Sequence, residues 1–108
     1  MYVRTQFASA PAGIKASARH ILVKRADDVD MLLEKLAAGS SFANLAREYS
    51  FCSSGKSGGS LGSFKPGAMV PAFDEVIFNA DTPLGEVVGP VATSFGYHLI
   101  VVDKRTGI

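Results

Sequence analysis

The chain carries one thiol, Cys52, and two imidazoles, His20 and His98. A cysteine with a histidine beside it can be a thiolate nucleophile and its base. As a pattern this is unspecific, because any three such residues satisfy it, and a buried inert thiol near satisfied core histidines is the plainer alternative. The placement of the histidines says more. His20 stands at the front of Arg-His-Ile-Leu-Val, and His98 at the front of Tyr-His-Leu-Ile-Val-Val. If those runs are neighbouring strands, both rings can face one side of a sheet and bond each other, since a neutral imidazole has one donor and one acceptor. Thr93 and Cys52 can close the network from loops. Two histidines and one cysteine at these separations match no zinc spacing, and no helix offers a second ligand one turn on. There is no phosphate-cradling glycine loop that opens a helix. Neither a metal nor a cofactor is expected.

Between Cys52 and His98 lies a second informative stretch, residues 58–78. It mixes Gly58, Gly59, Gly62, Pro66 and Pro71 with Leu61, Phe64, Met69, Phe73 and Phe78. No single helix or strand period fits it. A turn-rich segment that keeps so many large apolar side chains suits the lining of an apolar slot beside the Cys/His group.

The elements that must position these residues can be read in order. Residues 1–16 show no periodicity and contain Pro11 and Gly13, so they are expected to be a flexible extension ahead of a domain over 17–108. Ser17 to Lys24 is a buried strand. From Asp27, acids crowd a first helical turn, Val29, Leu32, Leu33 and Leu36 fall at helical spacing, and Gly39 supplies the stop. Ser40 or Ser41 caps a second helix with Phe42, Leu45 and Ala46 inside. Ser50 to Ser60 is a Gly/Ser loop, mobile unless tied down. Leu61 to Lys65 is a short strand, and Pro71 opens a helix that runs to about Asn79. Glu86 to Ala92 is an edge strand broken by Gly89-Pro90. A tight turn then leads into the strand Tyr97 to Asp103. This order implies an α+β domain with a small, largely antiparallel sheet.

At 108 residues one core can form without staples. Apolar residues make up 47% and charged ones 19%, ordinary for a globular domain, and a net charge of +1 gives no argument for nucleic acid. The longest apolar run is too short to span a bilayer. One cysteine excludes an internal disulfide and fits a reducing compartment, so cytoplasmic placement is expected. The first 26 residues hold five bases and no acid, a weak likeness to an organelle transit peptide; a short extension is the simpler reading.

In five ordered stretches the chain resembles the parvulin family of peptidyl-prolyl cis/trans isomerases. They are Arg-His-Ile-Leu-Val-Lys (19–24), Phe-Ala-Asn-Leu-Ala-Arg-Glu-Tyr-Ser (42–50), Gly-Gly-Ser-Leu-Gly-Ser-Phe (58–64), Gly-Ala-Met-Val-Pro-Ala-Phe (67–73) and Phe-Gly-Tyr-His-Leu-Ile (95–100). The likeness covers roughly residues 17 to 105 and is nearest to the short, non-phosphospecific type. It implies a four-stranded antiparallel sheet surrounded by helices in β-α-α-α-β-α-β-β order, an FKBP-like superfold, with a third short helix inside the Ser50 to Ser60 loop. It implies His20 and His98 as paired histidines under the active site, Thr93 bonded into that pair, and Cys52 as a polar residue facing the substrate amide. Leu61, Met69 and Phe73 would hold a proline ring, and Phe78 would flank it. Because some members carry Asp at the Cys52 position, a non-covalent role is implied rather than a nucleophilic one. The implied protein is a monomeric rotamase that assists folding and acts on proline-containing segments of unfolded or flexible chains, with no nucleic-acid or membrane partner. Phosphate-directed members carry a basic cluster in a long loop after the first strand. Here Lys24 and Arg25 run straight into Ala26, Asp27 and Asp28, so no requirement for phosphorylation before proline is expected. A peptide-binding module with the same groove and no catalysis is the main alternative.

Overall fold

The computed structural model describes residues 13–107. The run around His20 forms strand β1, Lys15–Val23, two residues earlier than its sequence suggests. Lys15 and Ala16 pair with Thr106 and Arg105, and Ala16 is buried. Those two residues therefore belong to the domain and not to an extension. Residues 1–12 of the expected extension lie outside the described residues.

Helix α1, Ala26–Ala37, places Asp27 and Asp28 in its first turn, where they suit the positive end of the helix dipole. Val29 and Leu32 are buried, but Leu33 is exposed, because the 3.6-residue period carries it off the Val29–Leu32 line. Helix α2, Phe42–Tyr49, is capped by Ser41, whose Oγ accepts the Asn44 N–H at 3.2 Å. A short 3-10 helix, Ser53–Ser57, then leads into strand β2, Ser60–Phe64. Helix α3, Pro71–Ile77, begins on its proline, which has no N–H to lose there. It has only seven residues, too few to be stable alone. Burial of Phe73 and Ile77, at roughly 1.5–3 kcal/mol for each side chain, holds it. Strands β3, Val87–Thr93, and β4, Gly96–Thr106, complete the chain.

The strands form one antiparallel sheet in the order β2-β1-β4-β3. β3 is an edge, and its register shifts between Val88 and Val91, around the proline that cannot donate to a ladder. The central pair, β1 and β4, is covered on both sides. Ile21, Val23, Leu99 and Val101 face α1 and α2. Ala16, Ala18, Ile100 and Val102 face α3. Side chains alternate along a strand, so His20 and His98 fall on the α3 side, and that side is where the site is built.

Candidate active site

Leu22 pairs with His98 across β1 and β4, and His20 pairs with Ile100. The two histidines are thus diagonal neighbours on one face. Their Nδ1 atoms are 3.1 Å apart. The ring centroids are 5.3 Å apart and the planes differ by 12°, so the rings meet edge to edge. Thr93, at the end of β3, puts Oγ1 2.7 Å from His98 Nε2. Ser54, in the 3-10 helix, puts Oγ 3.1 Å from His20 Nε2. Four side chains thereby form one chain of hydrogen bonds across the sheet.

Thr93 Oγ1 accepts the Phe95 N–H at 3.2 Å and has one hydrogen of its own, which it can donate to His98 Nε2. With that choice we assign the proton of His98 to Nδ1, donating to His20 Nδ1, and the proton of His20 to Nε2, donating to Ser54. Every ring nitrogen is satisfied with both imidazoles neutral. Burial, helped by the neighbouring His98, pushes His20 down to about 4. Burial, helped by the charge of Lys24, also lowers His98. Phe73 seals the pair from the α3 side, its ring edge-on to His98 at 4.6 Å and to His20 at 5.4 Å.

The segment after α2 is not loose. The Phe51 N–H donates to the Leu22 carbonyl at 2.8 Å, and Ser50 Oγ accepts the Leu22 N–H at 3.1 Å. At the far end His20 N–H donates to the Gly59 carbonyl at 3.0 Å. Gly59 has φ +88°, and a Cβ there would collide with the His20 carbonyl oxygen; only glycine allows this approach. The Gly/Ser segment is therefore pinned to β1 at both ends, which presents Cys52 and Ser54 to the histidines.

Above the imidazoles is an open groove of about 380 Å³. Leu61 from β2, Met69 from the turn before α3 and Phe73 from α3 line it together with Cys52, His20 and His98. The turn that carries Met69 is drawn in by Asp74, whose Oδ2 accepts the Gly67 N–H at 2.6 Å. Of the residues singled out from sequence, seven meet here or directly beneath, Thr93 being the one beneath. Phe78 does not. It lies five residues after Phe73, well round the helix, and packs edge-on against Phe64 at 5.9 Å. The loop hydroxyl that reaches His20 is that of Ser54 rather than the thiol of Cys52. Sequence reasoning also missed Leu22, Phe51, Val70 and Phe95, which line the groove as well. The strand alternation that puts Leu22 on the face of His20 was a usable signal; nothing marked the others.

The site offers an apolar slot, a half-buried thiol and a neutral, fully bonded imidazole pair. Among the described residues no group of acid, cysteine and histidine side chains could hold a metal ion.

Residues 4–106 match the family model described as the PPIC-type PPIASE domain. The foldase protein PrsA of Halalkalibacterium halodurans is 43% identical over 93 residues, which cover 85% of this chain and 27% of that protein. The chain spans about a third or less of the curated relatives it matches. Among solved structures, the peptidylprolyl isomerase PrsA of Bacillus anthracis superposes with a TM-score of 0.81 at 32% identity, over 88% of this chain and 43% of that one. The parvulin NmPin of Nitrosopumilus maritimus superposes with a TM-score of 0.74 at 37% identity, over 87% of this chain and 100% of its own.

Proposed function

Because the chain belongs to the PPIC-type, or parvulin, family of peptidyl-prolyl cis/trans isomerases, we propose that it accelerates rotation about X-Pro bonds and so assists protein folding. The observation that carries this reading is the groove of Leu61, Met69 and Phe73 set directly over a neutral histidine pair. Rotation about a peptide bond meets a barrier of ~18–20 kcal/mol, because the twisted amide loses its resonance. At X-Pro both isomers are populated and exchange takes tens to hundreds of seconds. A catalyst needs only to bind the twisted amide better than either planar form.

The chain's residues suit that task. Phe73 is a rigid wall and Met69 an adaptable one, and together with Leu61 they hold a small apolar ring. The twisted amide has a less polar carbonyl than the planar one, so an apolar, water-poor groove favours it. Cys52 faces the amide as a polar neighbour and forms no bond to it. His20 and His98, bonded to Ser54 and Thr93, hold the 3-10 helix and the end of β3 in place and carry no charge to compete with the amide dipole.

Phosphorylation before proline is not required in this reading. Lys24 Nζ is engaged with the Phe95 carbonyl at 2.7 Å, and Arg25 pairs with Asp27 at 2.9 Å. A phosphate dianion approaching them would meet the carboxylates of Asp27 and Asp28 as well.

The test is cis/trans exchange in an Ala-Pro peptide, followed by NMR exchange spectroscopy with protein well below peptide concentration. Faster exchange supports the reading. Shifted groove resonances with unchanged exchange would make the groove a binding module only. Acceleration that survives Cys52→Asp would exclude a covalent thiol route.

A further inference from the structure

Asp74 stands in α3 directly after Phe73, and its two carboxylate oxygens are unequally served. Oδ2 accepts the Gly67 N–H at 2.6 Å, a short bond of the kind a charged acceptor makes. Oδ1 is buried and has no partner among the described residues. A buried acceptor left unpaired is costly and asks for a reason. The preceding turn supplies one. Residues 65–69 cross from β2 to α3 outside any helix or strand, with Pro66 unable to donate and Gly67 at φ +91°. Their own backbone bond, Ala68 N–H to the Lys65 carbonyl, is at the long end of the range, 3.2 Å. The Asp74 carboxylate is thus the tie that fixes this turn to α3, and it grips the chain just ahead of Met69.

The far end of α3 is held separately. Arg105, from β4, donates to the Ile77 carbonyl at 2.8 Å and to the Thr82 carbonyl at 2.9 Å, and Phe73 and Ile77 are buried. The helix would therefore stay seated if the turn were released, and the groove wall that depends on the turn is Met69, not Phe73. We propose that Asp74 is a positioning residue for the isomerase reaction, whose clamp on Gly67 keeps Met69 in the groove lining so that the proline ring meets two walls. Asp74 does not touch the substrate, because one oxygen is engaged by Gly67 and the other is shut away from solvent. It acts through Met69. This inference rests on the proposed isomerase activity for its kinetic readout.

The experiment is a double-mutant cycle in kcat/KM for an Ala-Pro peptide, with Asp74→Ala and Met69→Ala made singly and together and each shown to be folded by its amide spectrum. Asp74→Ala is expected to lower kcat/KM about fivefold, mainly through KM, since a loosened wall weakens the hold on the ring in every state of the reaction. In the Met69→Ala background the same change is expected to cost less than about twofold, because its route of action is already gone. Asp74→Asn keeps an oxygen in reach of the Gly67 N–H and is expected to recover most of the rate. A general loss of stability would lower both backgrounds alike. Losses that multiply in the double variant therefore overturn the proposal, as does an unchanged rate in Asp74→Ala or an Asp74→Asn rate no better than that of Asp74→Ala. If the natural chain accelerates no peptide, the isomerase reading has failed and the clamp is read in the free protein instead. The Met69 methyl resonance then has to shift in Asp74→Ala and return toward its natural position in Asp74→Asn, or the clamp is refuted.

Discussion

His20 and His98 lie on adjacent antiparallel strands with their Nδ1 atoms 3.1 Å apart, and each ring has its second nitrogen bonded to a hydroxyl, Ser54 for one and Thr93 for the other. The pair is buried, and it is complete only when both rings are neutral.

Stability should therefore fall on the acid side. In the unfolded chain a histidine titrates near 6.5, while His20 in the fold is pushed down to about 4 and His98 is lowered too. Above about pH 6.5 both states are neutral at these rings and the folded state keeps its full advantage. As pH falls from there toward 4, the unfolded chain takes up protons that the folded chain refuses, and stability drops. For His20 the loss is about 3 kcal/mol at ~1.36 kcal/mol per pH unit. Urea midpoints across that window should show the slope, and His20→Asn should flatten it.

In the assigned tautomers Thr93 is the donor that starts the hydrogen-bond chain. Thr93→Val removes the donor to His98 Nε2 and leaves a buried acceptor unpaired, at a cost of about 1–3 kcal/mol. Thr93→Ser should restore most of it. Nitrogen-15 shifts of the imidazoles in the natural chain should report protons on His98 Nδ1 and His20 Nε2. The opposite tautomers would contradict the assignment.

Gly59→Ala should be among the most damaging single-methyl additions. It combines a positive φ with a collision at the His20 carbonyl oxygen. A loss of roughly 2–4 kcal/mol is expected, together with perturbed His20 and Cys52 resonances, because the strand and the loop must separate. Gly62→Ala, with the same sign of φ and no neighbour within 4 Å, should cost less.

Ser-Pro and phosphoSer-Pro peptides should be turned over with kcat/KM values within about threefold of each other, since Lys24 and Arg25 are already engaged and exposed charges are largely screened. A large gain on phosphorylation would show Lys24 leaving Phe95 for the phosphate.

Much of this was legible in the residues. Alternation in the two apolar runs placed His20 and His98 on one face, the acids and Gly39 bounded α1, and Pro71 marked the start of α3. The Ser50 to Ser60 segment was not legible as a rigid one, because its order comes from backbone bonds to Leu22 and His20 that no composition announces. Ser54 was hidden for the same reason. Phe78, expected to flank the slot, is not part of its lining, because nearness in sequence to Phe73 says nothing about which side of a short helix a residue leaves from. Phe51 and Phe95 were passed over as loop aromatics.

The most direct test of the central claim is the exchange rate of an X-Pro peptide measured with the natural chain and with Met69→Ala. The side chain of Met69 lines the groove and packs, half-buried, against the margin of the α3-side core, so a folded spectrum of the variant is recorded alongside the rates. The account predicts acceleration by the natural chain at substoichiometric protein and a drop of about tenfold or more in kcat/KM for the variant. Equal rates in the two folded proteins would contradict it.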